Sequence, residues 1–266
     1  MPRGMVSASA ALYRSVAQRY GWLRDLPDRR DHLYDPPARL RKALPARVDL
    51  RAHCPPVYHQ GRLQSCTANA IGAALEFQQH RQRTRRFRPA RLFIYYNERR
   101  LERTVRHDAG AMLRNGIKSV ARWGAPAEDP HWPYRPERFK VKPPRRVYAE
   151  ASRHQAVAYQ RLRYDLRHMR CCLAQGSPFV LGLAVYDSFE GPAVRKSGRL
   201  SKPRSAEKDR GGHAVLAVGY DDRQRRFLLR NSWGPRWGLK GYFTIPYTYV
   251  LDDTLAADFW TIQLVE

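Results

Sequence analysis

The sequence predicts an α+β protein in which a helical lobe comes first along the chain and an antiparallel β lobe comes second. Helix-compatible runs are concentrated in the first part of the chain, whereas apolar, β-prone runs are concentrated after residue 178. Such segregation is typical of α+β folds. The chain has 266 residues, 43% of them hydrophobic, so it can bury a sizeable core as one large domain or as two lobes.

The predicted helices are runs in which apolar residues recur every three or four positions. Residues 66–81 carry Ile71 and Leu75 on one stripe, which indicates a buried helix. Leu12 and Val16 are four residues apart and indicate a short amphipathic helix near the N-terminus. The complete set of predicted helices is 7–18, 66–81, 91–103, 116–122 and 164–175.

The predicted strands are short apolar runs rich in β-branched and aromatic residues. They are 178–185, 213–220, 227–231 and 242–245. Segments rich in Pro, Gly, Asp or Arg separate the regular elements, and we predict extended or loop structure for them. These segments are 21–45, 126–144 and 190–211.

The chain is strongly basic, with a formal net charge of +25. Such a charge can attract nucleic acid or acidic surfaces. Arginine accounts for 41 of the 49 basic residues, and these arginines are spread along the chain rather than gathered in one patch. No nucleic-acid-binding motif accompanies them. We therefore interpret the charge as solvated surface and predict no nucleic-acid partner.

The hydrophobic pattern predicts neither a membrane span nor a secretory signal. No stretch approaches 18 consecutive apolar residues, the length that a transmembrane helix needs. Arg14, Gln18 and Arg19 interrupt the N-terminal region, which lacks the apolar core of a signal peptide. On this basis we expect a protein that is cytoplasmic, or that was processed before this numbering begins, and that has no membrane partner.

Cys66 opens the predicted helix 66–81 and follows Gln60 by six residues. His213 and Asn231 lie 147 and 165 residues further along the chain. A thiol, a distant imidazole and an amide in this order indicate a nucleophile, a base and a residue that orients the base. The helix dipole and proton transfer to an adjacent imidazole both favour the thiolate. We therefore predict a thiolate–imidazolium pair.

Four segments carry a resemblance to the papain-like cysteine peptidase family, and they occur in the family's order. They are V-D-L-R at 48–51, Q-G-R-L-Q-S-C from 60 to 66, G-H-A-V at 212–215 and N-S-W-G at 231–234. The gap to Asn231 is somewhat long for the family, which loop insertions can explain. The resemblance implies a papain-like fold of two lobes, with the active site in the cleft between them, and a hydrolase that cleaves peptide or protein substrates.

The resemblance also implies a role for each catalytic residue. The Cys66 thiolate would attack a peptide carbonyl to form an acyl-enzyme thioester, and His213 would protonate the leaving amine. Asn231 would fix the tautomer of His213. The side-chain amide of Gln60, together with the Cys66 N–H, would hold the developing oxyanion. Neither a cofactor nor a metal is implied.

A second, weaker resemblance concerns substrate binding. The segment around Gly110 is similar to the family segment whose backbone pairs with substrate, and Gly110 would approach the peptide closely. Ala111 stands where the family has a second glycine, and Met112 would line the main side-chain pocket. Trp233 resembles the indole that shields the hydrogen bond between His213 and Asn231 from water.

The chain departs from the family pattern at the nucleophile loop. Leu63 and Thr67 stand where the family has a cysteine and an aromatic residue, so the family disulfide that starts at the first position is absent and the wall behind the nucleophile is smaller. The sequence leaves open whether a disulfide joins Cys54 to Cys171 or to Cys172.

A zinc site is the alternative interpretation of the cysteine and histidine residues around the nucleophile. The residues that would form it are His53, Cys54, His59 and Cys66. They lack a second paired-ligand motif, so we predict no metal.

Residues 1–46 precede the start of the papain-like domain, which we place at 47–266. This extension is either a structural strap or a short propeptide-like segment in which residues 22–34 cross toward the cleft. Two other functions use the same fold. One is an amidase or acyltransferase with the same nucleophile, and the other is a non-catalytic basic binding protein.

Overall fold

The computed structural model describes residues 20–84, 86–129 and 131–265, and the predicted helix at 7–18 lies outside them. The helices are α1 Ala38–Lys42, α2 Cys66–Gln82, α3 Arg91–Glu102, α4 Leu113–Trp123, α5 Arg145–Ala151, α6 Leu166–Ala174, α7 Asp187–Glu190, α8 Pro192–Ser197 and α9 Tyr247–Val250. The strands are β1 Trp22–Leu23, β2 Arg47–Asp49, β3 Ala111–Met112, β4 Ala156–Arg161, β5 Phe179–Tyr186, β6 Asp209–Asp221, β7 Arg226–Arg230, β8 Tyr242–Pro246 and β9 Ala256–Val265.

The predicted α+β architecture is confirmed. One large sheet has the strand order β4-β9-β5-β6-β7-β8, with β2 paired to β6, and every pairing in it is antiparallel. The longer helices α2, α3 and α4 pack against one another and come before most of this sheet. A separate parallel pair joins β1 to β3. The chain therefore has a helical lobe and an antiparallel β lobe.

Helix α2 joins the two lobes. Its side chains are buried continuously from Cys66 to Gln79, because α3 and α4 cover one side while β6 and β9 cover the other. A helix buried on all sides needs small residues where its neighbours approach, and α2 carries alanine at 68, 70, 73 and 74. This packing fixes the start of α2 against β6.

The structure adds regular elements that the sequence did not predict. Strands β4 and β9 pair with each other at one edge of the large sheet. The predicted loop at 190–211 contains α8, and the predicted connector at 21–45 contains both β1 and α1. Pro192 stands at the first position of α8. A proline at that position is compatible with helix geometry, so it did not exclude a helix within the predicted loop.

Several arginines are buried, so the interpretation of the basic charge as solvated surface is only partly right. Arg99 is fully buried and donates to the carbonyls of Tyr95, Val105 and His107. Arg230 is also buried and donates to the carbonyls of two consecutive prolines. These backbone carbonyls thus accept hydrogen bonds from buried guanidinium groups, each of which presents five N–H bonds.

All four cysteines, at 54, 66, 171 and 172, are free thiols. The bridge that the sequence left open from Cys54 is therefore not formed. Within the described ranges, no helix has the length and apolar character that crossing a membrane requires.

Candidate active site

Cys66 lies at the first position of α2 and is fully buried. Backbone N–H groups of Ala214, Gly21 and Thr67 approach its thiol. Ala214 follows His213 on β6, so the α2 start and the β6 strand bring the predicted nucleophile next to the predicted base. The two residues come from different lobes, as the sequence predicted for a site between them.

His213 and Asn231, both from the β lobe, are joined by a hydrogen bond. His213 lies within β6, and Asn231 follows directly after β7, the antiparallel neighbour of β6. Nε2 of His213 is 2.8 Å from Oδ1 of Asn231. The amide oxygen can only accept, so Nε2 carries the proton and Nδ1 is the basic nitrogen of the neutral ring. Among the described residues, Nδ1 has no hydrogen-bond partner.

Aromatic rings enclose this hydrogen bond. The ring of Trp233 lies 5.1 Å from the His213 ring, and the ring of Phe189 lies 5.8 Å from it. Trp237 packs against Trp233 in an edge-to-face arrangement. All four side chains are buried. Because the site is shielded from water, the His213–Asn231 bond is stronger than it would be in solvent.

The Gln60 side chain is held in place on both ends. Its Nε2 donates to the carbonyl of Leu63 at 2.8 Å, and its Oε1 accepts from the Ser232 hydroxyl at 2.6 Å. The Gln60 backbone N–H also donates to the carbonyl of Ser232. Ser232 is the neighbour of Asn231, so one short segment orients both the predicted oxyanion donor and the predicted base-orienting amide.

Residues 20–25, which we call the cleft segment, pass between the two lobes at Cys66. The carbonyl of Gly21 accepts from the N–H of Ala111 at 2.7 Å, and Trp22 pairs with Ala111 in a parallel ladder. Gly110 has a φ of 70°, and a Cβ there would stand 2.1 Å from the Gly21 carbonyl oxygen. Gly110 therefore permits the close backbone approach that the sequence predicted, and here the approaching chain is the protein's own.

The cleft segment also covers the predicted base. The ring of Tyr20 lies 5.9 Å from the ring of His213 and 6.0 Å from that of Trp233. Its hydroxyl donates to Glu190 at 2.5 Å. Tyr20 and Trp22 are both buried. The segment is therefore packed into the protein, and it lies over the residues that the sequence places in the active site.

The electrostatics of the covered site oppose a thiolate–imidazolium pair. Burial raises the pKa of the Cys66 thiol to about 12, although the N–H groups of Ala214 and Gly21 act in the opposite direction. Burial lowers the pKa of His213 to about 4, although its bond to Asn231 opposes this shift. Desolvation penalises both charged forms. The predicted ion pair is thus not the favoured form while the segment covers the cleft.

The structure brings together the residues that the sequence singled out and adds others. Met112 pairs with Leu23 of the cleft segment, beside the pair formed by Ala111. Sequence reasoning missed Ser232, whose position directly after Asn231 was the available signal. It also missed Asp258, whose carboxylate accepts from Trp22. No motif marks Asp258, because it lies beyond the last of the four segments that resemble the family.

Comparisons with known proteins give matches that extend along most of the chain. A family model described as papain family cysteine protease matches residues 44–250. An uncharacterized peptidase C1-like protein of Acanthamoeba polyphaga mimivirus is 40% identical over an alignment of 276 positions, gaps included. The alignment covers 94% of this chain and 88% of the viral protein.

Solved structures give the same result. Xylellain, a cysteine protease from Xylella fastidiosa, matches with a TM-score of 0.88 and 41% identity, over 95% of this chain and 99% of that one. Procathepsin L 3 from the larval midgut of Tenebrio molitor matches with a TM-score of 0.71 and 19% identity, over 96% of this chain and 78% of that one, which shows likeness of fold.

Proposed function

Because the chain belongs to the papain family of cysteine proteases, we propose that it hydrolyses peptide bonds with Cys66 as its nucleophile. The observation that carries this proposal is the hydrogen bond of 2.8 Å between His213 and Asn231, beside a thiol at the start of a buried helix. The bond leaves Nδ1 of His213 as the group that can take the proton of the thiol.

In the proposed reaction the thiolate attacks the peptide carbonyl once the cleft is open. The carbonyl oxygen becomes an oxyanion, which the Cys66 N–H and the Gln60 amide stabilise. The C–N bond then breaks, and the imidazolium of His213 gives its proton to the leaving amine. The acyl group stays on sulfur as a thioester. Water, deprotonated by His213, hydrolyses this thioester and restores the thiol.

A peptidyl epoxide that reacts with thiols tests the nucleophile directly. We expect mass spectrometry to locate one adduct, on Cys66, after the protein has been incubated with the reagent and digested. Cys172 is the internal reference, because it is equally buried and its pKa is also raised to about 12 by burial. An adduct on Cys172 and not on Cys66, in the unaltered chain or in a Trp22→Ala variant whose cleft is open, would contradict the assignment.

An amidase or acyltransferase would use the same residues, and product analysis separates these activities. A peptidase releases a free carboxylate and a free amine from an internal peptide bond. An acyltransferase passes the acyl group to an added amine instead of to water. We favour the peptidase because β1, an extended segment of the protein's own chain, pairs with Ala111 in the cleft as a peptide substrate would.

Replacing Gln60 with alanine should lower kcat more than it changes KM. The Gln60 amide would act mainly on the oxyanion, which exists only in the transition state. Loss of one oxyanion donor costs ~10²–10³ in kcat in comparable sites. Steady-state kinetics on one fluorogenic peptide would measure this. Gln64→Ala, four residues away in the same loop, is the control and should leave kcat within a few fold. A rise in KM of this size with an unchanged kcat would contradict the role of Gln60 as an oxyanion donor.

We also propose that the cleft segment inhibits the enzyme, and that residues 1–46 form a unit separate from the peptidase domain. Gly21 and Trp22 lie against Ala111, where a substrate backbone would pair. Tyr20 lies over His213. A substrate carbonyl and the cleft segment cannot occupy the same space, so the segment has to leave before catalysis.

A further inference from the structure

Tyr134 bridges the two ends of the loop that leads to the nucleophile. This loop runs from Gln60 to Ser65, directly before Cys66. The Tyr134 hydroxyl donates to the backbone carbonyl of Gln60 at 2.8 Å, and it lies 2.8 Å from the Ser65 hydroxyl. Tyr134 comes from the connection between α4 and α5, 69 residues after Ser65. A side chain from outside the loop thus contacts the residues at both of its ends.

The Ser65 hydroxyl takes part in this bridge instead of capping α2. Ser65 directly precedes α2, a position at which a serine hydroxyl commonly accepts from a backbone N–H of the first turn. Within the described part of the chain, the Ser65 side chain makes no such capping bond. The tyrosine proton points to the Gln60 carbonyl, which can only accept, so the Ser65 hydroxyl donates to the tyrosine oxygen.

Asn69 and Arg91 fix the direction of these hydrogen bonds. Nη1 of Arg91 lies 2.9 Å from Oδ1 of Asn69, and a guanidinium can only donate. Nδ2 of Asn69 therefore faces the other way, where it donates to the Ser65 carbonyl at 2.8 Å and to the Ser65 hydroxyl oxygen at 3.2 Å. Every donor between Arg91 and the Gln60 carbonyl thus faces an acceptor, so no group in the series can turn without leaving a partner unpaired.

A buried ion pair holds Arg91 against the ring of Tyr134. Nε and Nη2 of Arg91 each lie 2.8 Å from a carboxylate oxygen of Glu128, and both side chains are buried. The guanidinium carbon lies 4.0 Å from the centre of the Tyr134 ring and 4.7 Å from that of Tyr58. A bidentate pair has a defined geometry, and the stacked rings add cation–π attraction. The Tyr134 ring is therefore held in place by contacts that do not involve its hydroxyl.

We propose that Tyr134 is a positioning residue of the oxyanion site, whose hydroxyl holds the Gln60 amide in place relative to Cys66. The inference rests on the peptidase activity proposed above. The Cys66 N–H belongs to the nucleophile itself, whereas Gln60 lies at the far end of the loop and needs a separate restraint. Oxyanion donors are effective when they already point to the place where charge develops, and a displacement of ~1 Å can cost ~10² in rate. Tyr134 acts through Gln60 and does not contact the reacting atoms.

Tyr134→Phe in the full-length chain tests this, because it removes the hydroxyl and leaves the ring against Arg91. We expect kcat to fall by ~10-fold, which is less than the loss of the Gln60 donor itself. KM should stay within ~2-fold, because the oxyanion exists only in the transition state. The readout is kcat at saturating fluorogenic peptide. The cleft segment competes with substrate and thus changes KM, so it does not alter this value.

Tyr148→Phe is the matched control. The Tyr148 hydroxyl also donates a hydrogen bond of 2.8 Å, to Asn97, and both tyrosines are half-buried. An arginine lies near the ring in each case, with the guanidinium carbon of Arg100 6.0 Å from the Tyr148 ring. The two variants therefore lose the same atom and the same kind of bond. Tyr148→Phe should leave kcat within ~2-fold, because its hydroxyl does not contact the Gln60–Ser65 loop.

A double-mutant cycle separates positioning from a general loss of structure. If Tyr134 acts through Gln60, Tyr134→Phe should lower kcat by less than ~2-fold once residue 60 is alanine, because residues that act together are not additive. Partial unfolding removes active enzyme whatever side chain stands at position 60, so it would lower kcat equally in both backgrounds. The cycle therefore gives a result that a purely structural role of Tyr134 would not.

The outcomes separate this inference from the proposed function. An unchanged kcat in Tyr134→Phe, a change confined to KM, or an equal loss of kcat in Tyr148→Phe would overturn the inference and leave the peptidase standing. A tenfold loss that persists in the Gln60→Ala background would also overturn it. If neither the unaltered chain nor a variant with an open cleft hydrolyses any peptide, both the proposed function and the inference fail.

Discussion

Cys66→Ala should abolish peptide hydrolysis and leave the fold intact. The thiol is the group that forms the bond to the substrate carbon, and no neighbouring side chain can replace it. Removing the nucleophile of a catalytic triad costs ~10⁶ in kcat in the best-measured hydrolase, so we expect activity at the detection limit. The exchange of a buried cysteine for alanine removes one sulfur atom, which we expect to lower the free energy of unfolding by ~1 kcal/mol.

Cys172→Ala is the matched control for this experiment. Both thiols are fully buried, and burial raises the pKa of both to about 12, so the two variants share the same chemical change and the same environment. Kinetics on one fluorogenic peptide and thermal melting of both variants would be compared. Activity that survives in Cys66→Ala and disappears in Cys172→Ala would show that the nucleophile was assigned to the wrong residue.

Local sequence patterns were sufficient to predict the elements that position the site. The observed α2, Cys66–Gln82, differs by one residue from the predicted 66–81. The strand that carries His213 was predicted as 213–220 and is longer, Asp209–Asp221. Both elements are long and bury most of their side chains, and long elements are the ones whose existence sequence reveals best.

The missed strands have a physical explanation. β4 is mostly half-buried, with the burial of its residues following no clear alternation, so the period of two that marks a strand is weak. β9 is buried, but the bulge at Asp258 shifts its register. The two strands pair with each other across about 100 residues of sequence, and such long-range pairing leaves little local signal.

The active site likewise has features that the sequence could predict and features that it could not. Motif spacing was enough to choose Cys66, His213 and Asn231, because the chemistry demands those residue types. The protonation of the site could not be predicted in the same way. It depends on what covers the thiol, and the cover comes from Gly21, 45 residues earlier in the chain. The sequence allowed residues 22–34 either to cross toward the cleft or to form a strap, and no local pattern decides between the two. The β1–β3 pairing of Trp22 with Ala111 joins residues almost 90 positions apart, so the sequence carries little sign of it.

Trp22→Ala should raise kcat/KM by ~10²- to 10³-fold if the cleft segment inhibits. The substitution removes an indole that is 5% exposed, together with its hydrogen bond to Asp258. Truncating a buried tryptophan costs ~3–5 kcal/mol, and each 1.4 kcal/mol is a factor of ~10 in an equilibrium. The loss falls on the covered state alone, because in the open state the indole is already out of its pocket. The fraction of open enzyme, and with it kcat/KM, therefore rises.

Leu26→Ala is the control, since Leu26 lies close by in the same part of the chain and is 67% exposed; it should change neither activity nor the melting temperature. A segment that serves only as a strap gives a different result, because Trp22→Ala would then lower the melting temperature without activating the enzyme.

Inhibition predicts a further effect that a strap does not. A synthetic peptide of residues 20–31 should inhibit Trp22→Ala in competition with substrate, since the open cleft of the variant can bind the same backbone and the same indole. Activation of Trp22→Ala without inhibition by the peptide would mean that Trp22 affects the active site indirectly and not by blocking the cleft.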